Sequence, residues 1–318
     1  MPLPRTRTAT CAALLLVLAG CGADDEPAAP SAAADGPAAD DQVVLALDDF
    51  AAMHALTLGV QPDLVLEVFE YESTSAVFDD LGLETRPYGA ELDLEAVAAA
   101  QPDVVVGVSI PTTAAVEAQL DEIAPTTVVD YSAGWDAQLD SVAAALGRED
   151  EAADLRERLE EETATLAAEL DEAGRAGTVT SVVADNGGFF SPPAETAVGS
   201  VLSAVGLARP PAQEEAGDPT SPFALFTAET LGEHDGDELF LLSGGPYATD
   251  GLTTSPLWPG LRAVRGGAVH EVSGEVWLSA SAFSVEWVLD DVRAALLGEG
   301  EPATTAEAPA RFAEFTGR

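Results

Sequence analysis

EDEAADLRERLEEETATLAAELDEA, residues 149–173, is the stretch that decides the architecture of this 318-residue chain. Its apolar residues recur at spacings of three, four and seven, which is typical of one face of a helix, and Glu and Arg fill most other positions. The apolar face consists of Ala152, Leu155, Leu159, Leu166 and Leu170. Glycines follow at 174 and 177, and at about 1.5 Å per residue the stretch predicts one helix about 37 Å long. A helix of this length spans a whole small lobe.

Short apolar runs lie on both sides of this helix and alternate with helical stretches. They fall at residues 43–47, 64–68, 104–108 and 127–129 before the helix, and at 178–184, 238–242 and 268–272 after it. Continuous apolar runs of this length are typical of strands buried on both faces of a parallel sheet. The sequence therefore predicts an α/β fold of two lobes, each with a central, mainly parallel sheet, joined by the long helix. The predicted parts are a first lobe at 42–148, the bridging helix at 149–174, a second lobe at 175–298 and a partly ordered tail at 299–318.

The N-terminus carries an export signal. Arg5 and Arg7 precede a short apolar segment that closes with the residues LAGC at 18–21. A basic start, a short apolar segment and small residues before a cysteine describe a lipoprotein signal peptide, here residues 1–20, with Cys21 as the lipid acceptor. A membrane span is the alternative, but it needs about 20 apolar residues and this segment is shorter. We therefore expect an exported protein that its lipid anchors to the outer face of the cell membrane.

Acidic residues dominate the composition, since 56 Asp and Glu stand against 13 basic residues, all of them arginine, for a net charge of −43. A field of this sign repels nucleic acid and anionic headgroups, so nucleic acid is excluded as a partner and the lipid anchor is the one expected membrane contact. Residues 21–41 have no apolar period and are rich in Asp, Ala and Pro, which predicts a flexible acidic tether. The two cysteines lie at 11 and 21, so no disulfide is expected in the mature chain.

Three further motifs carry a resemblance to a known family. They are LEAV at 94–97 leading into QPDVVVG at 101–107, IAPT at 123–126 followed by Trp135 and ALG at 145–147, and the segment from Trp258 to Trp277. Together with the lipoprotein signal and the central helix, they make the chain resemble the substrate-binding lipoproteins of ABC importers for iron-siderophores, haem and cobalamin. The resemblance implies two rigid lobes with a shallow ligand cleft between them and a helix that limits their closure. It also implies a monomeric binding protein with no cofactor and no catalytic activity, which delivers its ligand to an ABC permease and the ATPase of that permease.

The residues that follow the predicted strands are the candidates for the cleft, because open α/β sheets bind ligands at the carboxyl ends of their strands. They are Asp48, Phe50, Phe69, Tyr71, Ser109 and Ile110 in the first lobe, and Asn186, Phe189, Phe190, Ser243, Tyr247 and Trp277 in the second. Only 6% of the chain is aromatic, yet aromatic residues make up most of this set. Aromatic walls bury the apolar parts of a large chelate or macrocycle. The alternative for the phenylalanines is ordinary core packing.

Two glutamates have a different expected role. In the resembled family one glutamate on each lobe docks into arginine pockets of the permease, and the matching positions here are Glu95 and Glu229. Opposite charges across that interface would set the orientation and the speed of docking. The alternative is that both are ordinary surface carboxylates, and Glu95 also stands early in a predicted helix, where a negative side chain interacts favourably with the helix dipole.

A ferric siderophore is the ligand that the resemblance favours, with haem or cobalamin as alternatives. Many siderophore binders have an arginine at the end of the second lobe's first strand, whereas this chain has Ala-Asp-Asn at 184–186, which weakens the case for an anionic ligand. A bare metal ion is less favoured, because His54, His234 and His270 do not stand at helical ligand spacing, and no metal-binding residues are predicted. A hydrolase is disfavoured because the chain has neither Gly-x-Ser-x-Gly nor His-Glu-x-x-His.

Overall fold

Two five-stranded sheets form the centre of the molecule, one before and one after the long helix in the chain. The computed structural model describes residues 42–89, 92–110, 113, 115–215 and 221–318. The elements of the first lobe are β1 (Val44–Ala46), α1 (Asp49–Thr57), β2 (Leu64–Glu67), α2 (Glu72–Leu81), β3 (Thr85–Pro87), α3 (Leu94–Ala100), β4 (Val104–Val108), α4 (Glu117–Leu120), β5 (Thr126–Val129) and α5 (Trp135–Leu146). Its sheet is entirely parallel, in the order β3-β2-β1-β4-β5.

The second sheet mixes parallel and antiparallel strands. After the long helix α6 (Glu149–Glu172), its lobe contains β6 (Thr180–Asp185), β7 (Phe189–Ser191), α7 (Ala197–Ala204), β8 (Ala224–Phe226), β9 (Glu238–Ser243), α8 (Asp250–Thr253), α9 (Arg262–Gly266), β10 (Val269–Ser273), α10 (Gly274–Trp277) and α11 (Ala282–Leu297). Short 3-10 helices lie at Pro211–Gln213, Ala228–His234 and Trp258–Gly260. The strand order is β10-β9-β6-β7-β8, with β7 antiparallel to both of its neighbours and the other pairs parallel.

The central strands of the first sheet are buried on both faces. Val44 and Ala46 of β1 belong to one hydrophobic cluster, and Leu45 between them belongs to another on the opposite face. The adjacent β4 is likewise buried along its whole length. Strands that are covered by helices on both faces have continuous apolar sequences, and for this reason they could be predicted from the sequence.

The long helix α6 has 24 residues and is about 36 Å long. Its buried residues are Ala152, Leu159, Leu166 and Leu170, and Leu155 is half-buried. The helix packs against α5 of the first lobe and against α7 and α11 of the second. It therefore contacts both lobes, which belong with it to one compact unit.

The chain ends in a helix where the sequence predicts a partly ordered tail. The helix α12 (Ala308–Phe315) packs on α2 of the first lobe. Its Phe312 and Phe315 are buried against Phe283 of α11, with ring centroids 5.2 and 5.6 Å away. Burial of these rings offsets the entropy of ordering the segment, and Pro309 stands in the first turn, where a helix tolerates proline.

The predicted fold class is confirmed, since two mainly parallel sheets are joined by one long helix. The three strands that the sequence missed, β3, β7 and β8, have only three residues each. No helix among the described residues is long and apolar enough for a membrane crossing. The signal peptide, Cys21 and the tether at 21–41 lie outside the described residues, and they and the exact lobe boundaries stay predictions.

Candidate functional site

An open cavity of about 630 Å³ lies between the two lobes, at the carboxyl ends of their strands. Aromatic rings, small polar groups and prolines line it. The lining residues are Phe50, Val68, Phe69, Tyr71, Ser109, Ile110 and Tyr131 from the first lobe, and Asn186, Pro222, Phe223, Pro246 and Tyr247 from the second. A cavity of this size and character is suited to a small organic ligand, because it combines a large apolar surface with a few polar groups.

Phe50 is the centre of the aromatic wall on the first lobe. Its ring stacks on Phe69 and on Tyr131, with centroids 4.6 and 5.4 Å apart. Phe69 stacks in turn on Tyr71 at 5.2 Å. Phe50 stands in the first turn of α1 after β1, Phe69 and Tyr71 follow β2, and Tyr131 follows β5. Four rings from three strand ends therefore form one continuous stacked surface.

Tyr247 and Phe223 form the wall on the second lobe and reach across to the first. The hydroxyl oxygens of Tyr247 and Tyr71 are 2.7 Å apart and share a hydrogen bond. Phe223 meets the ring of Tyr131 edge-on, with centroids 6.3 Å apart. The two walls thus touch along the inner end of the cavity.

Two more hydrogen bonds join the lobes beside these rings. The Tyr131 hydroxyl donates to the carbonyl oxygen of Leu278 at 2.7 Å. The buried carboxylate of Glu275, on α10 of the second lobe, accepts from the backbone N–H of Ser73, in the first turn of α2, at 2.9 Å. The lobes are therefore fixed to each other by polar contacts as well as by packing.

Two buried carboxylates, Asp48 and Asp49, support the aromatic wall from behind. Asp48 Oδ1 accepts from the backbone N–H of Ala51 at 2.8 Å, and its Oδ2 accepts from that of Val108 at 2.7 Å. Asp49 Oδ2 accepts from the backbone N–H groups of Val68 and Phe69 at 2.9 and 3.0 Å. The pair thereby ties the ends of β2 and β4 to the start of α1.

Burial is the main cause of the pKa shifts of the aspartates and tyrosines at the site. It raises the pKa of Asp48 to about 7, although the backbone N–H donors oppose it, and it raises the pKa of Asp49 as well. Burial also raises the pKa of Tyr71 and of Tyr131, and that of Tyr247 to about 12. The phenol groups of the cavity therefore stay protonated and act as neutral hydrogen-bonding groups.

The structure brings seven of the twelve predicted cleft residues to the cavity, and their contact with a ligand stays a prediction. They are Phe50, Phe69, Tyr71, Ser109, Ile110, Asn186 and Tyr247. The other five lie elsewhere. Asp48 is fully buried behind the wall, and Ser243, at the end of β9, donates its hydroxyl to the carbonyl oxygen of Val272 at 3.4 Å.

The two adjacent phenylalanines, Phe189 and Phe190, belong to a strand and lie outside the cavity lining. In β7 successive side chains point to opposite faces. Phe190 is buried behind Phe223, with centroids 4.6 Å apart, and Phe189 packs on Phe226 at 5.7 Å. Neither lines the cavity.

Trp277 also lies outside the cavity lining, because it is a core residue. It ends the short helix α10, is fully buried and packs on Phe240, with centroids 4.8 Å apart. Its indole N–H donates to Asp291 Oδ2 at 2.7 Å, which satisfies the one polar group of the ring.

Five lining residues were missed: Val68, Tyr131, Pro222, Phe223 and Pro246. Val68 and Tyr131 stand just beyond β2 and β5, so the strand-end rule that nominated their neighbours covers them too. Pro246 follows β9 by three residues. Pro222 and Phe223 precede the three-residue β8, which left no signal in the sequence.

Both predicted docking glutamates are exposed and lie outside the cavity. Glu95 stands in the first turn of α3, and Glu229 in the first turn of the 3-10 helix Ala228–His234. A hydrogen bond with the Thr227 side chain lowers the pKa of Glu229, so that carboxyl group is charged at neutral pH.

Within the described ranges, no group of three or more His, Cys, Asp or Glu side chains is arranged to hold a metal ion. Each histidine has a structural environment of its own. His54 is fully buried, and burial lowers its pKa to about 4. His234 stacks on Phe226 with centroids 4.0 Å apart, and His270 Nε2 bonds Glu238 at 2.8 Å.

Comparison with known proteins gives relatives in sequence and in structure. Curated relatives include the probable siderophore-binding lipoprotein YfiY of Bacillus subtilis strain 168, which is 26% identical over 229 residues, 67% of each chain. The Fe(3+)-citrate-binding protein YfmC of the same organism is 26% identical over 248 residues, 74% of this chain and 73% of its own.

Solved structures share the two-lobe fold. Staphylococcus aureus SirA superposes with a TM-score of 0.68 at 23% identity, over 81% of this chain and 99% of SirA. The FhuD protein from S. pseudintermedius superposes with a TM-score of 0.69 at 20% identity, over 82% of this chain and 93% of its own. A family model described as periplasmic binding protein matches residues 12–275. Because that match covers most of the sequence, the chain belongs to the periplasmic binding protein family.

Proposed function

We propose that this protein is the substrate-binding component of an ABC importer and that its ligand is a ferric siderophore. The observation that carries the proposal is the aromatic cavity of about 630 Å³ between the lobes. Its stacked rings offer the apolar surface that an organic chelate buries, and its hydroxyl and amide groups orient polar atoms of the ligand. The iron complex is the cargo, and the proposal includes no chemical step.

The names of the related proteins support the choice of a ferric chelate over haem or cobalamin. YfiY is named for siderophores and YfmC for ferric citrate. SirA has been solved with staphyloferrin B and FhuD2 of Staphylococcus aureus with ferrioxamine B.

Export and docking complete the proposal. Residues 1–20 are removed, Cys21 receives the lipid, and the segment 21–41 leaves the binding protein free to reach its permease. Glu95 and Glu229 are the docking carboxylates, one on each lobe, and their full exposure supports this role. The protein acts as a monomer at the outer face of the cell membrane.

Calorimetric titration of the purified protein tests the proposed ligand. The panel holds ferric hydroxamate, catecholate and citrate complexes, haem, cobalamin and bare divalent metal ions. We expect at least one ferric complex to bind with a dissociation constant of about 1 μM or below. Tight binding of a bare metal ion, or of haem or cobalamin, without binding of any ferric chelate would contradict the proposal.

Two phenylalanines of the second lobe provide a matched pair of variants. Phe223→Ala removes a ring from the cavity wall and is expected to weaken the bound complex by about tenfold or more, because the ligand loses an aromatic contact. Phe226→Ala removes a half-buried ring that stacks on His234 outside the cavity, and it should leave the affinity unchanged. Equal losses in the two variants would place the ligand elsewhere.

A further inference from the structure

The lining of the cavity contains no charged side chain among the described residues. Its polar groups are the hydroxyls of Tyr71, Ser109, Tyr131 and Tyr247 and the amide of Asn186. All of these are neutral at physiological pH. A ligand in the cavity therefore finds hydrogen-bonding groups but no countercharge.

The undescribed gaps between residues 42 and 318 contain no basic residue that could supply a cation at this site. Of the 13 basic residues, all but Arg5 and Arg7 lie in the described part of the chain, as do the three histidines. None of them lines the cavity. The gaps at 90–91, 111–112, 114 and 216–220 contain no Arg, Lys or His, and their only ionisable residues are Glu91 and Asp218.

Arg86 and Arg209 both stand near loops, and both guanidinium groups are held by other partners. Arg209 is buried in the second lobe, where its Nη2 donates to Gln213 Oε1 at 2.6 Å and to the carbonyl oxygen of Pro192 at 3.0 Å. Arg86 is exposed and pairs with Glu84 at 2.6 Å. Neither guanidinium contributes to the lining.

The ionisable side chains behind the aromatic wall are acidic. Asp48 and Asp49 lie buried behind Phe50, and Asp49 accepts hydrogen bonds from the backbone N–H groups of Val68 and Phe69. An anionic ligand would lose its hydration here with no opposite charge to replace it, whereas a cation would gain from the acidic field of a chain with net charge −43.

The phenol groups are arranged as hydrogen-bond partners and not as iron ligands. Tyr71 and Tyr247 bond each other at 2.7 Å, and the Tyr131 hydroxyl donates to the carbonyl oxygen of Leu278 at 2.7 Å. A tyrosine ligates ferric iron as phenolate, and burial disfavours that charged form for all three by raising the pKa of each phenol.

We propose that the cavity selects a ferric chelate that is uncharged or cationic and that already supplies every donor atom to its iron. The inference rests on the proposed function and narrows its ligand class. Recognition then depends on the apolar surface and hydrogen-bonding atoms of the chelate, because the described lining of the cavity offers neither a countercharge nor a group of metal-binding side chains.

Three derivatives of one ferric chelate, which differ only in net charge, test whether the cavity selects its ligand by charge. Ferrioxamine B carries one positive charge, its N-acetyl derivative is neutral and its N-succinyl derivative carries one negative charge, while the ferric hydroxamate core is the same. We expect the first two to bind within about threefold of each other, and the succinyl derivative to bind more weakly by about tenfold or more. Equal or tighter binding of the succinyl derivative would overturn the inference.

Two substitutions of Asn186, one that adds a positive charge and one that does not, provide matched variants of the protein. This residue is exposed and lines the cavity, so Asn186→Arg places a cation there without disturbing the core. The variant should bring the succinyl derivative to within about threefold of the neutral one, because the missing countercharge is restored. Asn186→Gln, with the same polarity and no charge, should keep the parent ranking.

The wider panel separates this inference from the proposed function. If an anionic complex such as ferric citrate is the tightest ferric ligand, the inference is overturned and the proposed function stands. If no ferric complex binds at all, the proposed function itself is contradicted. The visible spectrum of the bound complex adds a check on the iron, since a new phenolate-to-iron absorption band that Tyr71→Phe or Tyr247→Phe abolishes would also overturn the inference.

Discussion

Asp48 occupies a site that requires two hydrogen-bond acceptors. Both of its oxygens face backbone N–H groups, Oδ1 that of Ala51 and Oδ2 that of Val108. A carboxyl group can accept at both oxygens, but an amide nitrogen cannot accept. At pH 3.8, Asp48→Asn is therefore expected to lower the free energy of unfolding by about 1–3 kcal/mol, the cost of one unsatisfied buried donor, as measured by urea denaturation.

The neighbouring Asp49 is the matched control, because one of its oxygens faces a hydroxyl. Oδ2 accepts from the N–H groups of Val68 and Phe69, while Oδ1 accepts from the Thr74 hydroxyl at 3.1 Å. That hydroxyl can instead accept from an amide and donate to the carbonyl oxygen of Tyr71, which lies 3.2 Å away. Asp49→Asn should cost less than about 1 kcal/mol, and an equal loss for the two variants would contradict the assignment.

The parent protein and Asp48→Asn should also differ in how their unfolding free energies depend on pH, with a sign that the pKa of Asp48 defines. Burial raises the pKa of Asp48 from 3.8 to about 7, so between these pH values the folded state holds a proton that the unfolded chain has lost. Stability from this proton is fully present below the lower value and is lost as the pH rises through the upper one. The unfolding free energy of the parent minus that of Asp48→Asn should therefore fall as the pH rises from 3.8 to about 7 and then stay constant. A difference that grows over this range would show that the pKa of Asp48 is lowered.

At the scale of elements, the sequence predicts those helices and strands whose burial gives a long pattern. The helix α6 and the strands β4 and β6 have this property, since one has a regular apolar face and the others are buried throughout. The helix α12 has the same kind of apolar face in Ala308, Phe312 and Phe315, but it has only eight residues, and its two buried rings gain their partner from α11. Its order comes from tertiary contact, which local sequence does not show.

The residues of the candidate site also differ in whether the sequence predicts them. Phe50 and Tyr71 follow strands that lie in continuous apolar runs of the sequence, and they were predicted because the edge of a parallel sheet places them there. Phe189 and Phe190 were nominated for the cleft because they follow the predicted strand 178–184, whereas the short β7 fixes one on each face of the sheet. Phe223 reaches the cavity from the approach to β8, and only the folded sheet brings that segment near Tyr131.

At the scale of the whole molecule, three sets of contacts hold the two lobes in one arrangement. The helix α6 packs on both lobes, and α12 returns from the second lobe to α2 of the first. Beside the cavity, Tyr71 bonds Tyr247 and Ser73 bonds Glu275 across the lobes. Surface residues on different lobes therefore keep a fixed spacing, which is what a partner needs in order to recognise both lobes at once.

That fixed spacing gives Glu95 and Glu229 their proposed role at the permease. Both are exposed, each on a different lobe, and neither touches the cavity. The double variant Glu95→Gln and Glu229→Gln should bind its iron complex as tightly as the parent does. Iron uptake should fall by about tenfold or more, because truncating charges that become buried in an interface costs about 2 kcal/mol or more of binding free energy. Titration of the purified variant and uptake of radioactive iron by cells that carry it as their one binding lipoprotein measure the two quantities.

A second double variant separates docking from overall charge. Glu157 and Glu160 are exposed on α6, so Glu157→Gln with Glu160→Gln removes the same charge from a face outside the proposed interface. This control should keep both affinity and uptake, since the steering effect of two charges among 56 acidic residues is small. An equal loss of uptake in the two double variants would show a general charge effect. A loss of ligand affinity in the Glu95 and Glu229 variant would place these glutamates at the cavity. Retained affinity with lost uptake in the first variant alone is the result that assigns these two carboxylates to docking.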